Sequence, residues 1–258
     1  IGHPWEWFGI AKAMHETGIL PDFIVVDGAE GGTGAAPLEF TDHVGAPLQE
    51  GLLIVHNTLV GLGERHRVKV GCAGKVISAF DIARMMALGA DWCNAGRGFM
   101  FALGCVQAQS CHTDRCPSGV ATQNPLRQNA LVVPDKAERV RRFHDNTLEA
   151  LSELIGAAGL SHPKDLTPMH LLKRVSAHEV KSFAELYTFL GDRELLGVRR
   201  HDLEFAGRVP ESVRPHVDTS AGMLEFLVDD GAVVVMHTSS GCWAASWGGV
   251  VVPGLSGG

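Results

Sequence analysis

Three cysteines crowd one short stretch: Cys105, Cys111 and Cys116, in the spacing C-x5-C-x4-C, with Pro117 directly after the last. Thiols this close together serve as disulfide partners or as metal ligands. The odd number in the group and the cytosol-like character of the chain argue against disulfides. A structural zinc site usually carries a C-x2-C knuckle, absent here, and His112 is the one nearby fourth ligand. Soft thiolates around one loop suit iron and sulfide, and three ligands imply a three-iron cluster or a cubane with one iron free of protein ligation. A plainer reading needs no metal, since free cysteine packs well as a small buried side chain. Spacing alone leaves these alternatives open.

Two glycine-bearing loops offer a second chemistry, Gly71 to Lys75 and Gly96 to Gly98. Small residues let successive backbone N–H groups approach a dianion, and a helix that starts there turns its positive end towards it. Gly74, Lys75, Gly96 and Arg97 are the candidate phosphate contacts, with Lys75 or Arg97 adding a charge-assisted bond. The competing reading is that these glycines only shape tight turns.

The elements that must position these groups follow a strand, loop, helix rhythm. Pro4 to Thr17 reads as an amphipathic helix stopped by Gly18. Asp22 to Asp27 is a short apolar run of the kind a parallel strand covered on both faces carries. A helix is expected over Gln49 to Leu62, a strand over Val68 to Gly71, a helix from Ser78 to Leu88 opened by a Ser78/Asp81 capping box, and a strand over Ala90 to Asn94. Gly96 to Gly98 then turns into an apolar helix leading to Cys105. The rhythm predicts a parallel α/β protein with its ligands on the loops that follow the strands. A dinucleotide-binding fold is the competitor, and it lacks support because no loop reads G-x-G-x-x-G with an acidic residue after the next strand.

Further on, Pro134 to Ala158 is the longest helical pattern, with Val140, Phe143, Leu148, Leu151, Leu154 and Ile155 apolar, Asp135 as cap and Gly159 as stop. Thr167–Pro168 opens a short helix to Leu172, and a Ser176/Glu179 box opens a last one carrying Phe183, Leu186 and Phe189. Beyond about Leu196 periodicity fades; Glu225 to His237 is read as a hairpin, and the Gly- and Trp-containing end has no assigned role. Cys72 and Cys93 each close an apolar run and are expected as buried strand residues.

The ordered motifs DGAEGGTGAAP (Asp27 to Pro37), GCAGKV (Gly71 to Val76), GADWCNAGRGFM (Gly89 to Met100) and CPSGVATQNP (Cys116 to Pro125), taken with the cysteines, resemble the FMN-binding synthase domain of the glutamate synthase family. The likeness is strongest to its short, stand-alone bacterial and archaeal members and covers roughly the first 190 residues. It implies a (β/α)8 TIM barrel of which this stretch is the C-terminal part, the earlier strands lying N-terminal to Ile1; the opening IGHPWEW, without an initiator Met, fits a piece of a longer protein. It also implies that Cys105, Cys111 and Cys116 hold a [3Fe-4S] cluster and that the last two strand-to-helix loops hold the FMN phosphate. Asp27, Gly28, Gly31, Gly32 and Gly34 would then bind the cofactor beside Glu30 and Thr33, the two candidate catalytic residues. Glu30 is expected to order a pocket, not to abstract a proton; Thr33 and Gln123 are candidate hydrogen-bond donors. His112 would tune the cluster and Asp114–Arg115 would supply counter-charge.

The implied reaction is FMN- and cluster-dependent reductive amination of 2-oxoglutarate with ammonia, direct or glutamine-derived, through 2-iminoglutarate to glutamate. Electrons would come from ferredoxin or an NADPH-oxidising flavoprotein. The alternatives are another FMN and Fe–S oxidoreductase on the same barrel, or an inactive partial barrel. Residues 1–130 are read as barrel with cluster loop, 131–195 as a helical extension packed on it, and 196–258 as an atypical tail. A formal charge of −7 gives no support for nucleic-acid binding. A chain with 45% hydrophobic and 20% charged residues and no long apolar run reads as a soluble, cytoplasmic protein.

Overall fold

A computed structural model describes residues 1–28 and 44–196, together with strands at 234–238 and 241–245. Glu30, Gly31, Gly32, Thr33 and Gly34 lie outside the described residues. The elements run α1 (Pro4–Thr17), β1 (Phe23–Asp27), α2 (Leu48–Gly61), β2 (Lys69–Ala73), α3 (Ala79–Ala87), β3 (Trp92–Asn94), α4 (Arg97–Leu103), the short α5 (Pro125–Gln128) and the long α6 (Val133–Ala157). There follow β4 (Leu172–Arg174), β5 (Val180–Ser182), α7 (Phe183–Leu186), β6 (Val234–Thr238) and β7 (Gly241–Ala245). Two compact units result: one gathers residues 23–56 and 69–189, the other 1–22, 57–68 and 190–258.

The larger unit is built on a parallel three-stranded sheet in the order β1-β2-β3. Its register aligns Asp27, Ala73 and Asn94 across the sheet, so the three following loops emerge side by side. Val26, Val70 and Cys72 are buried in the sheet, and α3 buries Ala83 and Met85. The sheet is extended at its other end by Asp91, whose N–H donates to the Val70 carbonyl at 2.6 Å while its Oδ2 accepts the Val70 N–H at 2.7 Å. Gly71 is required by its neighbour: a Cβ there would stand 2.4 Å from the Trp92 ring. This is the α/β arrangement expected, with β1 and β3 as the edges among the described residues.

Local rules explain the helix starts. Ser78 caps α3, its Oγ accepting the Asp81 N–H at 3.2 Å while Asp81 Oδ2 accepts the Ser78 N–H at 2.9 Å. The long α6 departs from expectation at its start: its N-cap is Val132, without a side-chain cap, and Asp135 sits in the first turn. It buries Leu151 and Ile155 but leaves Leu148 and Leu154 exposed.

Two expected helices are replaced. Thr167–Pro168 opens only a 3-10 turn, Pro168–His170, after which the chain becomes strand β4. The Ser176/Glu179 box does not start a helix; that segment is the turn of the β4–β5 hairpin, with the N–H groups of Val175 and Ser176 both donating to the Glu179 carbonyl. The helix box that forms is Ser182/Glu185, six residues on, and α7 runs only to Leu186. Cross-strand pairing of Leu172 with Ser182 and Arg174 with Val180 outweighs the local helix signal.

In the smaller unit, α1 starts with Pro4 in its first turn, where a missing N–H costs nothing, and the Glu6 carboxylate accepts the His3 N–H at 2.9 Å. Gly18 ends it at φ 69, as expected. Trp7, Phe8, Ala11 and Met14 are buried, and Asn57 Oδ1 accepts the Leu190 N–H at 3.1 Å. In the same unit β6 and β7 form a hairpin that pairs Val234 with Ala245 through Thr238 with Gly241, whereas most of the expected hairpin over Glu225 to His237 lies outside the described residues. Among the described residues no helix is long and apolar enough to cross a membrane.

Candidate functional site

The three-cysteine segment begins where α4 ends. Gly104 closes that helix at φ 109, a conformation that favours glycine, and the Cys105 N–H returns to the Met100 carbonyl at 3.0 Å. From here the chain repeatedly enters left-handed backbone, at Gln107 (φ 53), Gln109 (φ 54), Asp114 (φ 61) and Gly119 (φ 76). Cys111 opens a 3-10 turn through Thr113, and Cys116 follows, 7% exposed. Cys105 and Cys111 are half-buried.

The loop is tied at several points. Thr122 Oγ1 donates to the Asp114 carbonyl at 2.7 Å, the Asp114 carboxylate accepts the Gln123 N–H, and Gln128 Nε2 donates to the Thr122 carbonyl at 2.8 Å. Arg127 Nη1 reaches the carbonyls of Arg115 (3.2 Å) and Cys116 (3.3 Å). Gly119 passes so close beneath α5 that a Cβ would stand 2.2 Å from the Arg127 carbonyl oxygen. Cys111, His112, Asp114, Gln123 and Gln128 border an open cleft of about 690 Å³.

Cys116 is the most ligand-like of the three. Burial pushes its thiol up, but the Ser118 hydroxyl, 3.4 Å from Sγ, and the backbone N–H groups of Ala121, Ser118 and Val120 outweigh it and bring it down to about 7. Donors converging on one sulfur stabilise thiolate, the form that binds metal. Among the described residues no three His, Cys, Asp or Glu side chains, the three cysteines included, converge as a bound metal ion would need. An iron–sulfur cluster spreads its thiolates over several irons, and the amide-lined sulfur of Cys116 fits such a ligand.

Gly74 (φ 142) and Lys75 (φ 46) form the loop after β2, and Gly96 precedes α4 with open space at its Cβ position. The two helices behind these loops differ. At α3 the positive end is already filled, because Asp81 Oδ2 accepts the N–H groups of Ile77 (3.2 Å) and Ser78. Burial raises the Asp81 carboxyl, yet these N–H groups, the Ser78 hydroxyl and Arg84 together hold it below its usual value. No side chain caps α4 at the Gly96–Arg97–Gly98 end. Gly98 itself is fixed by packing, since a Cβ would meet Phe143 of α6 at 2.8 Å.

Asp27 ends β1 in line with the ends of β2 and β3, so its loop emerges beside theirs. The Gly28 N–H is committed to the Ala73 carbonyl at 2.8 Å, and a Cβ at Gly28 would lie 2.5 Å from Leu48. Its small size therefore serves chain packing. Sequence reasoning missed Arg127, Lys136 and Arg139. Lys136 Nζ lies 3.4 Å, and Arg139 Nη1 3.9 Å, from where a Gly104 Cβ would be, placing cations beside the start of the three-cysteine segment. Only their spacing on α6 hinted at this, since the meeting with Gly104 is a tertiary contact.

A profile of the conserved region in glutamate synthase matches residues 9–161. With the cysteine loop and parallel sheet already described, this makes the chain a member of the glutamate synthase family. It is 42% identical over 173 residues to the glutamate synthase large subunit-like protein YerD of Bacillus subtilis (strain 168), an overlap covering 67% of this chain and 33% of that protein. It is 34% identical over 171 residues to the archaeal-type glutamate synthase [NADPH] of Thermotoga neapolitana, covering 66% of this chain and 33% of the relative. With the ferredoxin-dependent glutamate synthase 1, chloroplastic/mitochondrial, of Arabidopsis thaliana it shares 37% identity over 156 residues, 57% of this chain and 10% of the relative. The matched region thus spans about one third of the first two relatives, and less of the third.

Proposed function

We propose that this chain is the part of a glutamate synthase-like oxidoreductase that carries the cluster and grips the FMN phosphate. The observation that carries the proposal is the Cys116 sulfur, buried and surrounded by the N–H groups of Ser118, Val120 and Ala121, in a loop whose chain belongs to this family. In this reading FMN, when bound, supplies a hydride to 2-iminoglutarate, formed from 2-oxoglutarate and ammonia, and the [3Fe-4S] cluster supplies single electrons drawn from ferredoxin or an NADPH-oxidising flavoprotein.

The chain's own residues have defined tasks. Cys105, Cys111 and Cys116 hold the cluster, and Arg127 fixes the loop by bonding the Arg115 and Cys116 carbonyls. Gly96, Arg97 and the uncapped start of α4 take the phosphate together with Gly74 and Lys75. Asp27, Gly28, Glu30, Gly31, Gly32, Thr33 and Gly34 border the ring and substrate, with Glu30 ordering the pocket. The three parallel strands are proposed as part of a (β/α)8 barrel within residues 1–130, the further strands coming from the remainder of a polypeptide as long as its relatives. Residues 131–195 cover that barrel.

The test is a visible spectrum with iron and sulfide analysis of the full-length protein purified without oxygen. Flavin bands and about three irons per chain are expected from a three-iron cluster. Zinc without iron, or no flavin, would overturn the redox reading. Flavin reoxidation by 2-oxoglutarate plus ammonia, compared with other 2-oxo acids, separates a glutamate synthase from another oxidoreductase of the same barrel.

A further inference from the structure

Cys72 and Cys93 are neighbours that the proposed chemistry does not use. They are register partners on the adjacent parallel strands β2 and β3, and their sulfurs stand 3.5 Å apart. Adjacent strands lie about 4.7–4.9 Å apart, inside the roughly 4.4–6.8 Å window of Cα separations that a disulfide spans. A covalent bond therefore asks for a small approach of two side chains, with no change of strand pairing.

The two sulfurs are unequal. Cys72 is fully buried, and Cys93 is half-buried. The Cys72 thiol donates to Cys93 Sγ, and that hydrogen bond raises the Cys72 thiol. The same bond lowers Cys93, against its burial and the nearby Asp81 carboxylate. One sulfur is thus the more reachable and more anionic, and the other is held behind it as a proton donor.

The geometry points to a redox-active dithiol at Cys72 and Cys93, closed to a disulfide by a low-molecular-weight disulfide, with Cys93 attacking and Cys72 resolving. Cys93 thiolate attacks one sulfur of the small disulfide; that S–S bond breaks and one thiolate leaves. Cys72 then gives up its proton to the departing thiolate and attacks Cys93 Sγ, forming the Cys72–Cys93 bond and releasing the second thiolate, which takes a proton from solvent. The protein loses two electrons and two protons, and the small disulfide becomes two thiols. Pairs that open and close in this way are the form in which disulfides occur in reducing compartments.

The experiment exposes the full-length protein to oxidised glutathione, blocks free thiols after denaturation, and maps the peptides. The expected result is joint loss of the Cys72 and Cys93 thiols and one cross-linked peptide pair, both reversed by dithiothreitol. Cys72→Ser should instead leave glutathione attached at Cys93, and Cys93→Ser should leave Cys72 unmodified. The inference is overturned if both cysteines remain alkylatable in the wild-type protein while other cysteines react, or if mapping joins either one to a different partner. The wild-type map decides the matter even if a variant fails to fold.

Discussion

Cys116 and Gly119 show how much of the three-cysteine loop rests on single residues. In the metal-free chain the N–H groups around Cys116 keep its thiol at about 7. Below that pH the sulfur carries its proton, and above it the sulfur is a thiolate. Because the folded value lies below that of an unfolded cysteine, this group adds stability above the unfolded value, and the contribution is lost as pH falls through about 7. Labelling of Cys116 by iodoacetamide, read by peptide mapping across pH, should rise with a midpoint near 7; a midpoint at the ordinary thiol value would mean that the amides do not reach the sulfur. The cysteine spacing C-x5-C-x4-C and the family motifs were legible in the sequence. The need for glycine at 119 was not, because it arises from the Arg127 carbonyl, eight positions along the chain and brought close only by folding. The nearness of Cys72 and Cys93 was hidden for the same reason, since it depends on strand register.

At the scale of elements, α3 is the clearest case of a local rule obeyed. Ser78→Ala removes the hydroxyl that accepts the Asp81 N–H, and losing a cap of this kind costs about 1 kcal/mol. Thermal or denaturant unfolding should show a loss of that size, and under the proposed function the flavin content of the full-length protein should not change. A loss of flavin in a stably folded variant would mean that this helix start grips the cofactor after all. The strand, loop, helix order of β1 to α4 was readable from apolar runs and glycines because each element carries its own signal. The β4–β5 hairpin was not readable. Ser176/Glu179 and Ser182/Glu185 are equally good local boxes, and the choice between them was made by pairing across the hairpin.

For the whole molecule, the informative feature is what the sheet leaves uncovered. β1 is an edge strand among the described residues, and Phe23 on it is 57% exposed despite its edge-on contact with the Trp92 ring. Open edges bearing apolar side chains favour pairing with other chains. The 258-residue chain produced alone should self-associate, and Phe23→Lys should reduce that association, as measured by light scattering. Equal association of the two forms would show that this strand is not the contact. The α/β class was visible from sequence, whereas closure into a barrel concerns strands that the described residues do not contain.

Leu48 has a consequence of another kind. Its backbone N and Cα, together with its Cβ, occupy the space that a Cβ at Gly28 would need, and that Cβ stands 3.2 Å from the corresponding position at Gly74. One leucine is therefore wedged against two turns that come from different strands. A smaller side chain at position 48 would leave the Leu48 backbone in the way, so position 28 should refuse bulk whatever stands at 48 and stay glycine as the family diverges.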